Sequence, residues 1–269
     1  MRVGSLFAGI GGFDLGLERA GMHVRWQVEN NTWCQKVLTK HWPEVSRYED
    51  IKTVDWQTIE PVDLVCGGFP CQPFSVAGKR GGQADDRYLW PEVVRCLSAL
   101  RPTWFLGENV PGIVKLALDQ VYTDLEDLGY AVQAFNIPAC AVDAPHQRKR
   151  IWIVGYAKSH AERRIREASR QQQIQARGSG PRPEDVADAK GQQTRGIFKR
   201  QFQADASASG NGAREALPWP TEPSVGRVAY GVPRRVDRLR GLGNAVVPQV
   251  AEVLGRAIYA VEQGKEGIA

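Results

Sequence analysis

The chain has 269 residues, 24% charged and 42% hydrophobic, with a formal net charge of +5. That length suits one large or two small domains, and the balance is that of a soluble globular protein. No run approaches the ~18 apolar residues of a membrane span. Five glycines and an Asp break the opening "MRVGSLFAGIGGFDLG" too early for a signal peptide. Five cysteines, at 34, 66, 71, 96 and 140, form no CxxC pair. This argues against a disulfide framework or a structural metal site and for a reducing, cytoplasmic setting.

In chain order, "RVGSLF" at 2–7 reads as a strand, Phe13–Ala20 as a helix and "HVRWQV" at 23–28 as a strand. Thr32–His41 reads as a helix and "DLVCGG" at 63–68 as a strand. Leu89–Leu100 follows as a helix, "TWFLGEN" at 103–109 as a strand and Val114–Leu128 as a helix. "YAVQAFNI" at 130–137 and "RIWIVGY" at 150–156 are two more strands. Strands alternating with helices imply a mostly parallel sheet with helices on both faces, which binds ligands beyond the carboxyl ends of its strands. The pattern breaks at 157–216, where Gln, Ser, Gly and Arg dominate and six large apolar residues are too few to close a core. Residues 158–240 hold 17 Lys+Arg against 9 Asp+Glu, while the remainder holds 18 against 21. A localised basic excess is the electrostatic footprint of a polyanion partner, though a solvated Arg-rich linker has the same composition. The final "GLGNAVVPQVAEVLGRAIYAVEQG" reads as a loop leading into an amphipathic helix.

Four motifs can carry chemistry. In "LFAGIGGFDLG", a strand ends at Phe7 and Gly9, Gly11 and Gly12 turn the chain into a helix; Glu29 closes the next strand, placed to accept from ribose hydroxyls. Nicotinamide, flavin and S-adenosylmethionine sites all fit this pattern. In "GGFPCQPFS", Pro70 and Pro73 flank Cys71 just past a strand's carboxyl end, whereas Cys66 lies inside the strand and reads as structural. The loop that follows contains Gly78, Gly81 and Gly82 and the cations Lys79, Arg80 and Arg87. "GENVPG" places Glu108 at the end of another strand; a helix-capping Glu-Asn pair is the plainer reading of it. In "HQRKRIWIV", Arg148 and Arg150 alternate going into a strand and so project to one face, where two guanidinium forks suit phosphate, carboxylate or a base carbonyl.

Taken together and in this order, "FAGIGG", Glu29, Asp50-Ile51, "GFPCQPFS", "ENV", the spaced arginines and the terminal "GNAVVP" resemble the DNA (cytosine-5)-methyltransferase family. The resemblance spans about residues 3–156 and 217–262. The family's arginine motif opens with Gln, and His146 stands at that place, so His146 is given no role. The resemblance implies a Rossmann-like S-adenosylmethionine methyltransferase sheet with helices on both faces and a small irregular target-recognition region. It implies a catalytic and cofactor-binding domain at 1–156, a variable target-recognition region at 157–235 and a C-terminal segment at 236–269 that returns to the catalytic domain.

The same resemblance assigns roles. Cys71 would attack carbon 6 of a flipped-out cytosine, and Glu108 would donate to ring nitrogen 3. Arg150, with Arg148 beside it, would bind the base carbonyl and nearby phosphate. S-adenosyl-L-methionine would be held by Phe7, Gly9, Gly11, Gly12, Glu29, Asp50, Ile51, Pro70, Asn244 and Val246. Gln72, Ser75 and Arg87 would contact DNA. Expected partners are double-stranded DNA and a cognate restriction endonuclease; no metal and no membrane are expected, and the protein is expected to be a monomer. The competing readings are a non-catalytic or degenerate DNA-binding homologue, an RNA cytosine-5 methyltransferase and a nicotinamide oxidoreductase; the last leaves "PCQ", "ENV" and "GNAVVP" without a purpose.

Overall fold

A computed structural model describes residues 1–70, 88–161 and 235–264. The chain divides into two compact units, one of Met1–Arg164 with Val232–Arg256 and one of Ile165–Gly231 with Ala257–Ala269. The first holds a seven-stranded sheet with strands β1 (Arg2–Leu6), β2 (His23–Val28), β3 (Ser46–Tyr48), β4 (Leu64–Gly68), β5 (Trp104–Asn109), β6 (Tyr130–Ile137) and β7 (Arg150–Ala157). Their order is β3-β2-β1-β4-β5-β7-β6. β3, β2, β1, β4 and β5 run parallel; β7 runs antiparallel to both β5 and β6. The described helices are α1 (Gly12–Arg19), α2 (Thr32–His41), α3 (Trp90–Leu100), α4 (Ile113–Leu116), α5 (Leu118–Asp127), α6 (Arg235–Asn244) and α7 (Pro248–Glu262).

Strand alternation divides the core into two layers. Leu6, Trp26, Val28, Val65, Phe105 and Ile153 point to one face, where Trp90, Val93 and Leu97 of α3 and Val121 and Leu125 of α5 cover them. Ser5, Gln27, Cys66, Leu106, Trp152 and Val154, their alternates, belong to the other face. Here Phe13 of α1 meets Trp152 edge-on at 5.4 Å. A Cβ on Gly16 would lie 2.3 Å from the Pro248 carbonyl oxygen and 2.7 Å from Ala251 Cβ, so glycine lets α1 and α7 approach closely.

Four differences from the expected elements have local causes. The helix expected over Val114–Leu128 is two, because Ala117 leaves the helical region at φ −152°. β3 is three residues without a buried alternation, so it carries no strand pattern. A short 3-10 turn, Ala139–Val142, interrupts the link between β6 and β7. "GLGN" is no loop: it is the end of α6, whose Gly241 is buried against Trp33, a Cβ there falling 2.6 Å from the indole.

Candidate active site

The carboxyl ends of β1 and β2 form the first half of the site. Phe7 leaves β1 with φ 52°, Gly9 follows at φ 58° and Gly11 caps α1 at φ 85°. Left-handed backbone at Gly9 and Gly11 carries no Cβ penalty, whereas Phe7 holds it under strain. Gly12 opens α1, and a Cβ on it would stand 2.6 Å from the Val246 carbonyl oxygen. The turn therefore packs directly on the "GNAVVP" segment. Glu29, 9% exposed, follows β2. One carboxylate oxygen accepts from Gly9 N at 2.8 Å and the other from Asn31 N at 2.7 Å. Each oxygen keeps a lone pair, so the carboxylate is fixed yet able to accept two hydroxyls.

Beneath this turn lies a carboxyl that the sequence reading passed over. Asp14, fully buried in α1, accepts from Ser5 Oγ at 3.0 Å and Gln27 Nε2 at 2.7 Å. Gln27 Oε1 in turn accepts from Arg47 at 3.2 Å. The three side chains join β1, β2 and α1 under the glycines. Burial pushes the Asp14 carboxyl up to about 6. The signal was present: a charge directly after "GGF" on a helix face otherwise formed by Phe13 and Leu17.

Asp50 and Ile51 follow β3. Asp50 is exposed and accepts from Lys52 N at 2.9 Å; Ile51 is 3% exposed and belongs to the core. Arg95 of α3 donates to the carbonyls of Ile51 and Val54 and fixes this loop.

The second half lies at the ends of β4, β5 and β7. Gly68 pairs with Glu108 in the sheet, and Glu108 pairs with Trp152. Arg150, two residues before Trp152, shares its face, and its Nε lies 2.9 Å from a Glu108 carboxylate oxygen. Burial raises the Glu108 carboxyl above the usual range, against the pull of Arg150 and Arg148. Asn109 is a tie rather than a cap for a helix: its Nδ2 donates to the Phe69 carbonyl at 2.9 Å. It thereby fixes the chain just before Pro70, which is half-buried. Cys71, Gln72, Ser75 and Arg87 lie outside the described residues. Cys66 is fully buried and burial pushes its thiol far up, so it stays a protonated core residue.

Arg148 arrives by a different route from the one alternation suggested. It precedes β7 with φ 32°, so the period of the strand does not direct it. Its Nη2 donates to the Gly243 carbonyl at 2.6 Å and the Ala245 carbonyl at 2.9 Å. Both arginines nevertheless line one cavity with Glu108, Trp152 and Val246. Asn244, between the two accepting carbonyls, is exposed at the end of α6.

A family model described as C-5 cytosine-specific DNA methylase matches residues 1–217. The chain belongs to this family. It is 35% identical over 161 residues to the Type II methyltransferase M.NgoFVII of Neisseria gonorrhoeae, covering 57% of this chain and 43% of that one. It is 36% identical over 163 residues to M.HpaII of Haemophilus parainfluenzae, covering 57% and 45%. The chain thus spans under half the length of these relatives. Among solved structures, a prophage-encoded DNA modification methyltransferase of E. coli aligns at TM-score 0.52 and 29% identity, over 60% of this chain and 48% of that one. DNMT2 of Spodoptera frugiperda, at TM-score 0.51 and 24% identity over 58% and 50%, shares the fold. The α/β sheet is the Rossmann-like sheet of S-adenosylmethionine methyltransferases.

Proposed function

We propose that the chain transfers a methyl group from S-adenosylmethionine to carbon 5 of cytosine in double-stranded DNA. The observation that carries this reading is the half-buried Glu108–Arg150 pair, 2.9 Å apart, one strand from the chain that leads into Cys71.

The cofactor half fits the group it would hold. Gly9 has open space where a Cβ would stand, its nearest neighbour the Phe7 carbonyl oxygen at 3.9 Å, and the Glu29 carboxylate has lone pairs for two ribose hydroxyls. Phe7, Gly9, Gly11, Gly12 and Glu29 would hold the cofactor's ribose and methionine portions, with Asp50, Ile51 and Pro70 on one side and Asn244 and Val246 closing the other. When bound, S-adenosylmethionine supplies the methyl group.

Carbon 5 of cytosine is a weak nucleophile. Addition of the Cys71 thiolate to carbon 6 breaks the 5,6 double bond and pushes its electron pair toward carbon 5. Glu108 donates its proton toward ring nitrogen 3, and burial raises its proton affinity, which favours the protonated form that this donation needs. Arg150 has the donors to hold the base carbonyl while holding Glu108. Arg148, turned onto Gly243 and Ala245, fixes the C-terminal segment against the site instead of reaching for phosphate. After methyl transfer a base takes the carbon 5 proton, and expulsion of Cys71 restores the double bond. Residues 1–156 would then be the catalytic and cofactor-binding part, 157–235 with its basic excess the target-recognition part, and 236–269 the returning segment. A base in a duplex must leave the stack to meet these groups. The segment holding Gln72, Ser75 and Arg87 would meet the DNA around it.

Incubation with tritiated S-adenosylmethionine and mixed-sequence duplex DNA, followed by bisulfite sequencing, tests the reading. Label at carbon 5 of cytosines is expected. Label absent from DNA while the cofactor binds, or found only on RNA, overturns it.

A further inference from the structure

Trp152 is 1% exposed, and its indole Nε1–H finds no acceptor among the described residues. It is held rigidly: the ring packs edge-on to Phe13 and stands across the ladder from Glu108. It also lines the cavity bounded by Glu108, Arg148, Arg150 and Val246. The cavity measures about 10 Å³, room for a single water between these side chains. A water persists in such a place when two to four polar groups surround it. Trp152, Glu108, Arg148 and Arg150, which line the cavity, carry such groups.

We propose that this cavity binds one water that accepts from Trp152 Nε1 and donates to the Glu108 carboxylate, making Trp152 a positioning residue for Glu108. The proposal rests on the reading of Glu108 as the carboxyl that meets the base. The charged groups facing Glu108 among the described residues are Arg148 and Arg150. Both act only as donors, so neither can accept the indole proton. A buried donor left without an acceptor is costly, and a water turned toward the carboxylate satisfies it. The carboxyl is then held from two sides, by Arg150 directly and by Trp152 through the water.

The first test needs neither DNA nor turnover. In the full chain labelled with 15N, the Trp152 indole signal is assigned by its loss in Trp152→Phe. It should show a cross-peak to a bound water and an inflection with pH that disappears in Glu108→Gln. No water cross-peak, or an inflection indifferent to Glu108→Gln, overturns the proposal even if the protein methylates DNA. The second test replaces Trp152 with benzothienylalanine, which keeps the ring's shape and removes only the N–H. The kcat is expected to fall about five- to tenfold with the cofactor KM unchanged. Loss of a hydrogen bond to the charged carboxylate raises its proton affinity, so the basic limb of the pH profile should move to higher pH. A purely structural indole would leave both kcat and the profile where they were.

Discussion

The two halves of the site are built from different materials. The half proposed to hold the cofactor keeps Glu29 in place with backbone N–H groups of Gly9 and Asn31, in a turn whose shape depends on missing side chains. The base half holds Glu108 with the guanidinium of Arg150 and with burial. Backbone donors survive substitution of their own residues, so the first half should fail mainly through its carboxylate or through added bulk. Side-chain donors are lost by single substitutions, so the second half should fail through charge.

That contrast sorts the expected effects. Cys71→Ser should lower transfer by on the order of 10⁴-fold or more while cofactor affinity, measured by calorimetry, stays unchanged. Loss of cofactor binding in that variant would move Cys71 out of the chemical step. Glu108→Gln should lower kcat by about 10²- to 10³-fold, again with cofactor affinity intact. Near-normal turnover there would remove the carboxyl from the mechanism. Glu29→Gln should act in the opposite sense, weakening the cofactor by about 10- to 100-fold with kcat at saturation little changed. A kcat defect that saturation does not relieve would show that the halves are not separable.

The smallest effect is on stability. The Asp14 carboxyl titrates at about 6 when folded against 3.8 in the unfolded chain. Its protonated form favours folding, so its contribution is complete below pH 3.8 and is lost as pH rises through 6. Asn keeps both hydrogen bonds, accepting from Gln27 and donating to Ser5. Asp14→Asn should therefore be more stable than the wild type by up to about 3 kcal/mol at pH 8 and by almost nothing at pH 4. A difference in Tm that does not change with pH would show that Asp14 is not the titrating group.

Much of this molecule was legible from its residues, and the exceptions share a cause. β2, α2 and β6 run over the residues expected because each carries its own period and its own ends. The glycine turn, Glu29, Glu108 and Arg150 were legible as local motifs. The ties between motifs were not. Asn109 to Phe69, Asp14 to Ser5 and Gln27, and Arg148 to the carbonyls of 243 and 245 are contacts between different elements of the fold, which no local period announces. The antiparallel direction of β7 was nearly legible. Two strands follow one another at 130–137 and 150–157 with no crossover helix between them, which favours a hairpin-like return. Trp152 could have been placed by counting two from Arg150.

The bond from Arg148 to Gly243 joins residues 95 apart. A ribosome adding roughly 5–20 residues per second leaves the arginine without those carbonyls for about 5–20 s. Until residues 246 to 250 have been made, the glycine turn lacks the Val246 backbone that closes on Gly12 and the cavity lacks one wall. A chain cut short before residue 243 would keep the strands of the sheet and lack the wall that Val246, Val247 and Val250 give the cavity.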